Sequence, residues 1–249
     1  DEQHRFGVIQ RLRLMTKGDQ PNTLVMTATP IPRTLAMTLY GDLDLSVIDQ
    51  MPPGRSPIKT VHATERDVER IYRTLEEEMR KGRQCYVVYP VIEDSEKVDL
   101  KSATDGFTKL SKVFPAQRVA LLHGRLKSEE KEAIMRGFAA GQLDVLVSTT
   151  VIEVGVDVAN ATVMMIEHAE RFGLAQLHQL RGRVGRGSQS SLCVLMTPVK
   201  IGDVARERVD AMVSTTDGFR LAEVDLKLRG PGEMAGTRQS GLPEFRVAN

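Results

Sequence analysis

The chain has no tryptophan, few aromatic residues of any kind (4%) and only two cysteines in 249 residues. Cys85 and Cys193 each sit inside an apolar run, and no Cys/His cluster has metal-ligand spacing. That excludes the disulfide framework of a small secreted domain and a zinc module, and the pair reads as buried thiols of a reducing, cytoplasmic protein. No apolar run approaches the ~20 residues of a membrane span and no secretory signal opens the chain, so no membrane partner is expected. Net charge is almost absent: 34 Lys and Arg against 33 Asp and Glu give +1. The overall charge therefore announces no polyanionic partner. A G-x-x-x-x-G-K-[ST] phosphate loop is also lacking.

What is present is globular, 41% hydrophobic and 27% charged, and long enough for one large domain or two smaller ones. Short runs that are apolar throughout read as parallel strands buried on both faces: Thr23–Thr27, Ile58–His62, Cys85–Pro90, Arg118–Leu122, Val145–Ser148, Val163–Ile166 and Leu192–Met196. Helical stretches separate them. Over Glu65–Lys81, Val68, Ile71, Tyr72, Leu75 and Met79 form one stripe, with Thr64 as N-cap and Gly82 just past the end. Glu129–Ala140 is expected to be capped by Ser128 and stopped by Gly141, with Glu129 and Glu130 in the favourable first turn. A further helix begins over Gln176–Leu180. This alternation implies a doubly wound α/β sheet.

Met51 to Pro57 carries three prolines and a glycine, which can continue neither a helix nor a central strand and read as a linker over residues 51–57. Residues 1–50 are too few for an α/β domain of ~100 residues and read as the tail of one. The strand pattern runs to about residue 202; residues 203–229 read as helical and 230–243 are rich in Gly, Pro, Thr, Gln and Ser. The chain starts at Asp1, without Met and inside a motif, so a longer parent is expected.

Charge becomes informative locally. Residues 171–190 hold four arginines and no acidic residue. Arg181, Arg183 and Arg186 are interleaved with glycines, each of which weakens a helix interior by about 1 kcal/mol relative to Ala. A solvated basic patch would explain the cluster, but so would an anion faced by all three arginines, since guanidinium groups bind phosphate bidentately and stay charged. Other segments suit the same chemistry. Asp1 and Glu2 are adjacent carboxylates, able to divide Mg²⁺ binding from activation of a water, although such a pair at a chain end is ordinarily just solvated. Thr27 to Pro30 follows a strand and precedes a helix. Ser148, Thr149 and Thr150 close another strand, with Gly155 and Asp157 shortly after, and hydroxyls and N–H groups beyond strand ends suit phosphate oxygens. His123, Gly124 and Arg125 form a basic strand-end loop in which the His is expected to be structural.

Taken in order, the Asp-Glu-Gln-His tetrapeptide, Thr-Ala-Thr-Pro, the Thr-Thr…Gly-x-Asp segment and Gln-x-x-Gly-Arg-x-Gly-Arg resemble the second half of a superfamily-two DExH helicase. The stretch Phe172 to Arg186 is similar to one shared by the RecG family of branched-DNA helicases and the transcription-repair coupling translocases. Asp217 to Phe219, Leu228 to Glu233 and Gly236 to Gly241 resemble the translocation motif that follows the second motor domain, and their wording favours the RecG family. The resemblance covers essentially the whole chain. It implies a RecA-like doubly wound parallel sheet with a C-terminal helical hairpin and loop extension: 1–50 a remnant of the first RecA-like domain, 58–202 the second, 203–249 the translocation extension.

It also implies roles. Asp1 and Glu2 would serve Mg²⁺ and the hydrolytic water, Asp1 holding the metal together with a P-loop not in this chain. His4 and Gln179 would link ATP state to domain closure, and Arg183 and Arg186 would reach the γ-phosphate. Gly155 and Asp157 would line the nucleotide side. Thr149, Thr150 and the basic Arg125 would meet the DNA backbone, and Thr27 and Thr29 would couple hydrolysis to DNA movement. Arg229, Glu233 and Gln239 would convert closure into stepping. The implied cofactors are ATP and Mg²⁺. The implied partners are branched DNA (forks and Holliday junctions) and the upstream wedge and first motor domain. Without the P-loop, this polypeptide alone is expected neither to hydrolyse ATP nor to unwind DNA. An RNA helicase, a transcription-repair coupling translocase and a non-catalytic DNA-binding module are the alternative readings.

Overall fold

The computed structural model describes residues 55–91, 96–149 and 158–229, and before them only Leu24, Met26, Ser46 and Ile48. The chain divides into two compact units, residues 42–217, and residues 1–41 with 218–249. Among the described residues the first unit holds six strands: β1 Ile58–Thr64, β2 Gln84–Tyr89, β3 Val119–Leu122, β4 Val145–Thr149, β5 Ala161–Ile166 and β6 Ser191–Thr197. Every pairing is parallel, in the order β1-β6-β5-β2-β4-β3. Strands β2, β4 and β5 are buried along their whole length. Such strands meet helices on both faces, which is why they read as unbroken apolar runs rather than as alternating patterns.

Helix α1, Val68–Arg80, and helix α2, Glu96–Val113, lie on one face. Ile71, Leu75 and Met79 of α1 and Ala103 and Leu110 of α2 pack there with Cys85, Val87, Val145, Val147, Val163, Met165, Val194 and Met196. Helix α3, Ser128–Ala139, lies on the other, where the fully buried Phe138 ring packs with its centroid 4.8 Å from that of Tyr86, the two planes tilted by 56°. Helix α4, Leu174–Arg181, joins that face by reaching Thr60 of β1 from Arg181. Helix α5, Asp203–Ser214, packs against β1 and α4. Helix α6, Gly218–Arg229, belongs to the second unit.

Local chemistry sets the boundaries. Thr64 does start the α1 stretch, but by way of a short 3-10 turn, Glu65–Asp67, whose Asp67 carboxylate accepts from both the Thr64 amide (3.0 Å) and its hydroxyl (3.1 Å). Gly82 and Gly141 both take positive φ just past their helices, as expected of glycine stops. Three corrections follow. Ser128 is the first residue of α3 and not its cap; Lys127 holds the cap position, its amide bonded to Glu130 at 2.9 Å. The helical reading of 203–229 is broken into α5 and α6 at Thr215–Asp217. Helix α2 is not anticipated at all, because its apolar positions are diluted by threonines and by Gly106. That glycine is required by contact: a Cβ there would collide with the Tyr89 hydroxyl.

Candidate functional site

The arginine cluster separates into two kinds of residue. Arg181, the last residue of α4, is 2% exposed. Its Nη1 donates to the Met212 and Thr215 carbonyls, both at 2.8 Å, and to the Thr60 hydroxyl at 3.3 Å. Its Nη2 donates to His178 Nδ1 at 3.0 Å. The expectation that all three arginines face an anion is therefore wrong for Arg181: α4 turns it into the protein, where it binds carbonyls at the end of α5. Burial, followed by the adjacent Arg181 charge, pushes His178 down to about 4, which keeps the imidazole neutral and able to accept.

Arg183 and Arg186 lie beyond the helix, each half-buried, in the loop that returns to β6. Arg186 Nε donates back to the Gly182 carbonyl at 3.0 Å. Gly185 has φ +73°, and a Cβ there would stand 2.7 Å from Ile58 Cγ1 at the start of β1. A Cβ on Gly187 would stand 2.8 Å from the Ala159 carbonyl, ahead of β5. Ser56 donates to the Ser188 carbonyl at 3.1 Å, and Arg83, just before β2, donates to Gln189 at 2.9 Å. These contacts fix the loop to the amino edge of the sheet. Glycine is thus demanded by close packing as well as by backbone sign, and the result is a rigid turn presenting two cations. Gln179 is half-buried one turn earlier on α4.

Thr149 and Arg125 lie at the opposite edge. Thr149 ends β4, 3% exposed, and the neighbouring strand β3 leads into His123, Gly124 and the exposed Arg125. Lys131 reaches back to the Gly124 carbonyl at 2.6 Å. His123 Nδ1 is buried without a hydrogen-bond partner among the described residues, and burial, then Lys131 and Arg125, hold its pKa below the usual histidine value. That edge presents a neutral imidazole and exposed cations. With strands of four to seven residues, the two edges stand ~13–23 Å apart at ~3.3 Å per residue.

Asp1, Glu2, His4, Thr27, Thr29, Thr150, Gly155, Asp157, Glu233 and Gln239 lie outside the described residues. Arg229 closes α6, its backbone alone described. Two residues escaped the sequence reading. Besides the buried role of Arg181, Arg208 of α5 donates to the Phe172 (2.7 Å) and Glu170 (3.2 Å) carbonyls, while its Nε and Glu170 Oε2 are buried without partners among the described residues. An arginine on an amphipathic helix gives no signal that it points inward. Half-buried guanidiniums on a glycine turn fit a polyphosphate. For a metal, the described residues hold no group of three or more His, Cys, Asp or Glu. No described helix is long and apolar enough to cross a membrane.

A parallel sheet of this order, with an arginine-glycine turn at one edge and strand-end hydroxyl and basic residues at the other, is the architecture of a RecA-like helicase motor domain. Residues 66–188 match the family described as "Helicase conserved C-terminal domain", and residues 215–249 match "ATP-dependent DNA helicase RecG, domain 3, C-terminal". The whole chain is 58% identical to ATP-dependent DNA helicase RecG of Synechocystis sp., over 30% of that protein. It is 53% identical to RecG of Bacillus subtilis, over 36% of that protein. A solved structure of RecG bound to a three-way DNA junction superposes with TM-score 0.76 at 50% identity, covering 99% of this chain and 31% of that one. A structure of S. cerevisiae Dbp5 bound to Gle1 and IP6 shares the fold at TM-score 0.54 and 14% identity, over 88% of this chain and 57% of that one. The chain belongs to the RecG helicase family and corresponds to its C-terminal portion. It spans about a third of the length of the curated relatives it matches.

Proposed function

We propose that the chain is the C-terminal motor part of an ATP-dependent branched-DNA helicase that reverses forks and migrates branches in DNA recombination and repair. The observation that carries this is the likeness, at 50% identity over 99% of the chain, to RecG bound to a three-way junction. In this reading residues 1–50 complete the first RecA-like domain, 51–57 link it to the second over 58–202, and 203–249 form the translocation extension. Branched DNA and the preceding wedge and motor domains are the partners, and the cytoplasm is the setting.

Each edge of the sheet then has its own task. The amino edge meets nucleotide through Arg183 and Arg186, which stabilise charge on the transferring phosphoryl group, with Gln179 one turn earlier sensing it; Gly155, Asp157 and His4 take the nucleotide roles that the resemblance implies. Asp1 and Glu2 would hold Mg²⁺ and orient water, Asp1 together with a P-loop outside this chain, and the metal would supply charge neutralisation at the phosphates. The carboxyl edge meets DNA through Arg125 and Thr149; by the resemblance Thr150 shares that role, and Thr27, Thr29, Arg229, Glu233 and Gln239 turn closure into movement. With no phosphate loop in its sequence, this chain alone does not turn over ATP.

The test is ATP turnover by the full-length helicase, with this chain as control, on forked DNA, linear duplex and RNA. Preference for forks beside a silent isolated chain is expected. Stimulation by RNA, or an equal response to linear duplex, would overturn the branched-DNA assignment, and steady turnover by the isolated chain would overturn the division of the site.

A further inference from the structure

Arg181 is one of the largest fully buried side chains among the described residues. No carboxylate pairs with it among the described residues; its acceptors are two carbonyls, a hydroxyl and a neutral imidazole. A buried cation without an anion is costly, and an apolar side chain of similar volume would avoid that cost. The bonds it makes are specific in place. Met212 and Thr215 stand at the end of α5, where carbonyls have no donor in the next turn, and a basic side chain satisfies them. Arg181 itself is followed directly by Gly182 and the turn bearing Arg183 and Arg186. Thr215 is followed two residues later by Asp217, where the chain leaves this unit. One guanidinium thus joins the root of the arginine turn to the exit of α5, with a third bond anchoring it to β1.

We propose that Arg181 is a positioning residue that couples the arginine turn to the Thr215–Asp217 exit, so that displacement of the turn by nucleotide is delivered to the extension that follows rather than absorbed at Gly182. This rests on the reading of the chain as a helicase motor. Arg181 is 2% exposed and its four hydrogen bonds all run within the protein, so it acts through the turn and not on a ligand. Its loss therefore acts on the yield of movement per ATP more than on ATP binding.

In the full-length helicase, Arg181→Lys keeps the charge but replaces the planar fork by a single nitrogen, which cannot hold four acceptors. Inserting two glycines between Thr216 and Asp217 leaves Arg181 and all its bonds in place while slackening the exit, and serves if the lysine variant fails to fold. ATP kcat, KM for ATP and base pairs separated per ATP hydrolysed are measured on a fork, with thermal melting alongside. For both changes KM is expected to stay within about twofold and base pairs per ATP to fall at least fivefold. Thr60→Val, which spares both bonds to α5, is expected to keep the wild-type ratio. A merely structural role would lower kcat and unwinding together and leave the ratio unchanged. That result, with a wild type that unwinds forks, overturns the coupling role alone. A wild type without fork-stimulated turnover overturns the helicase reading and the coupling role with it.

Discussion

The arginine turn depends on atoms it does not have. Gly185 combines φ +73° with a site where a Cβ would press on Ile58 at 2.7 Å. Gly185→Ala adds backbone strain to a clash with the first residue of β1, and a destabilisation of about 1–3 kcal/mol is expected by urea unfolding. A second residue-scale prediction concerns His178. Its pKa is pushed down to about 4, first by burial and then by the Arg181 charge. Between pH 6.5 and 4 the unfolded chain binds a proton that the fold does not. Stability from this group is therefore full above about 6.5 and is lost as pH falls toward 4. His178→Gln keeps an acceptor for Arg181 without titrating. Between pH 7 and pH 5 the wild type should lose about 2 kcal/mol more unfolding free energy than the variant, and equal losses would show that His178 does not set the dependence. Neither His178 nor Arg181 was legible in this role. Gln-Leu-Arg-Gly-Arg-Val-Gly-Arg presents three arginines as equivalents, and only the turn of α4 onto the sheet decides which one is buried. The glycines were legible as a signal, but the contacts that require them come from Ile58 and Ala159, far away in sequence.

At the scale of elements, the strands were the clearest part of the sequence, because a strand buried on both faces is written as a short apolar run with nothing else in it. All six described strands lie within two residues of their expected bounds at each end. Helix α1 was equally plain, with a stripe, a capping Thr and a terminal glycine. Helix α2 was not: it touches the sheet with Ala103, Leu110 and the accommodating Gly106, too sparse a pattern to stand out, and Gly106 has meaning only once Tyr89 is seen against it. Helix α3 lies between these cases. Its recognisable ends fixed its extent, while its attachment rests on Phe138, 0% exposed and packed at a tilt against Tyr86. Phe138→Ala removes that ring from a site closed on all sides, and a loss of about 3–5 kcal/mol is expected from the transfer and cavity terms together. A loss under 1 kcal/mol in chemical denaturation would mean that α3 is held by other contacts. Since β3 leads through the Arg125 loop into α3, the same substitution should also weaken whatever that edge binds.

For the whole molecule, the decisive feature is that, among the described residues, Arg183 and Arg186 lie at one edge of the sheet and Arg125 and Thr149 at the other. The sequence order of motifs gives no hint of this, because Arg125 and Thr149 precede the arginine turn along the chain while the fold sets them a strand's length away from it. Separation of the edges means that damage to one should leave the other's first-order behaviour intact. Each Lys or Arg on a phosphate contributes about 0.9 to the slope of log affinity against log salt concentration on duplex DNA. Arg125→Ala in the full-length helicase should therefore flatten the salt dependence of fork binding by about one such increment while leaving KM for ATP within about twofold. Arg183→Ala should do the reverse: the salt slope stays put, and fork-stimulated kcat falls by about three decades or more, the size of effect expected when a guanidinium at a transferring phosphoryl group is removed. Fork binding titrated across a range of salt, beside steady-state ATP turnover for both variants, decides the matter. If Arg183→Ala flattens the salt slope, or Arg125→Ala abolishes turnover at saturating DNA, the two edges do not divide the work, and the sheet must be read as a single surface that engages nucleotide and DNA together.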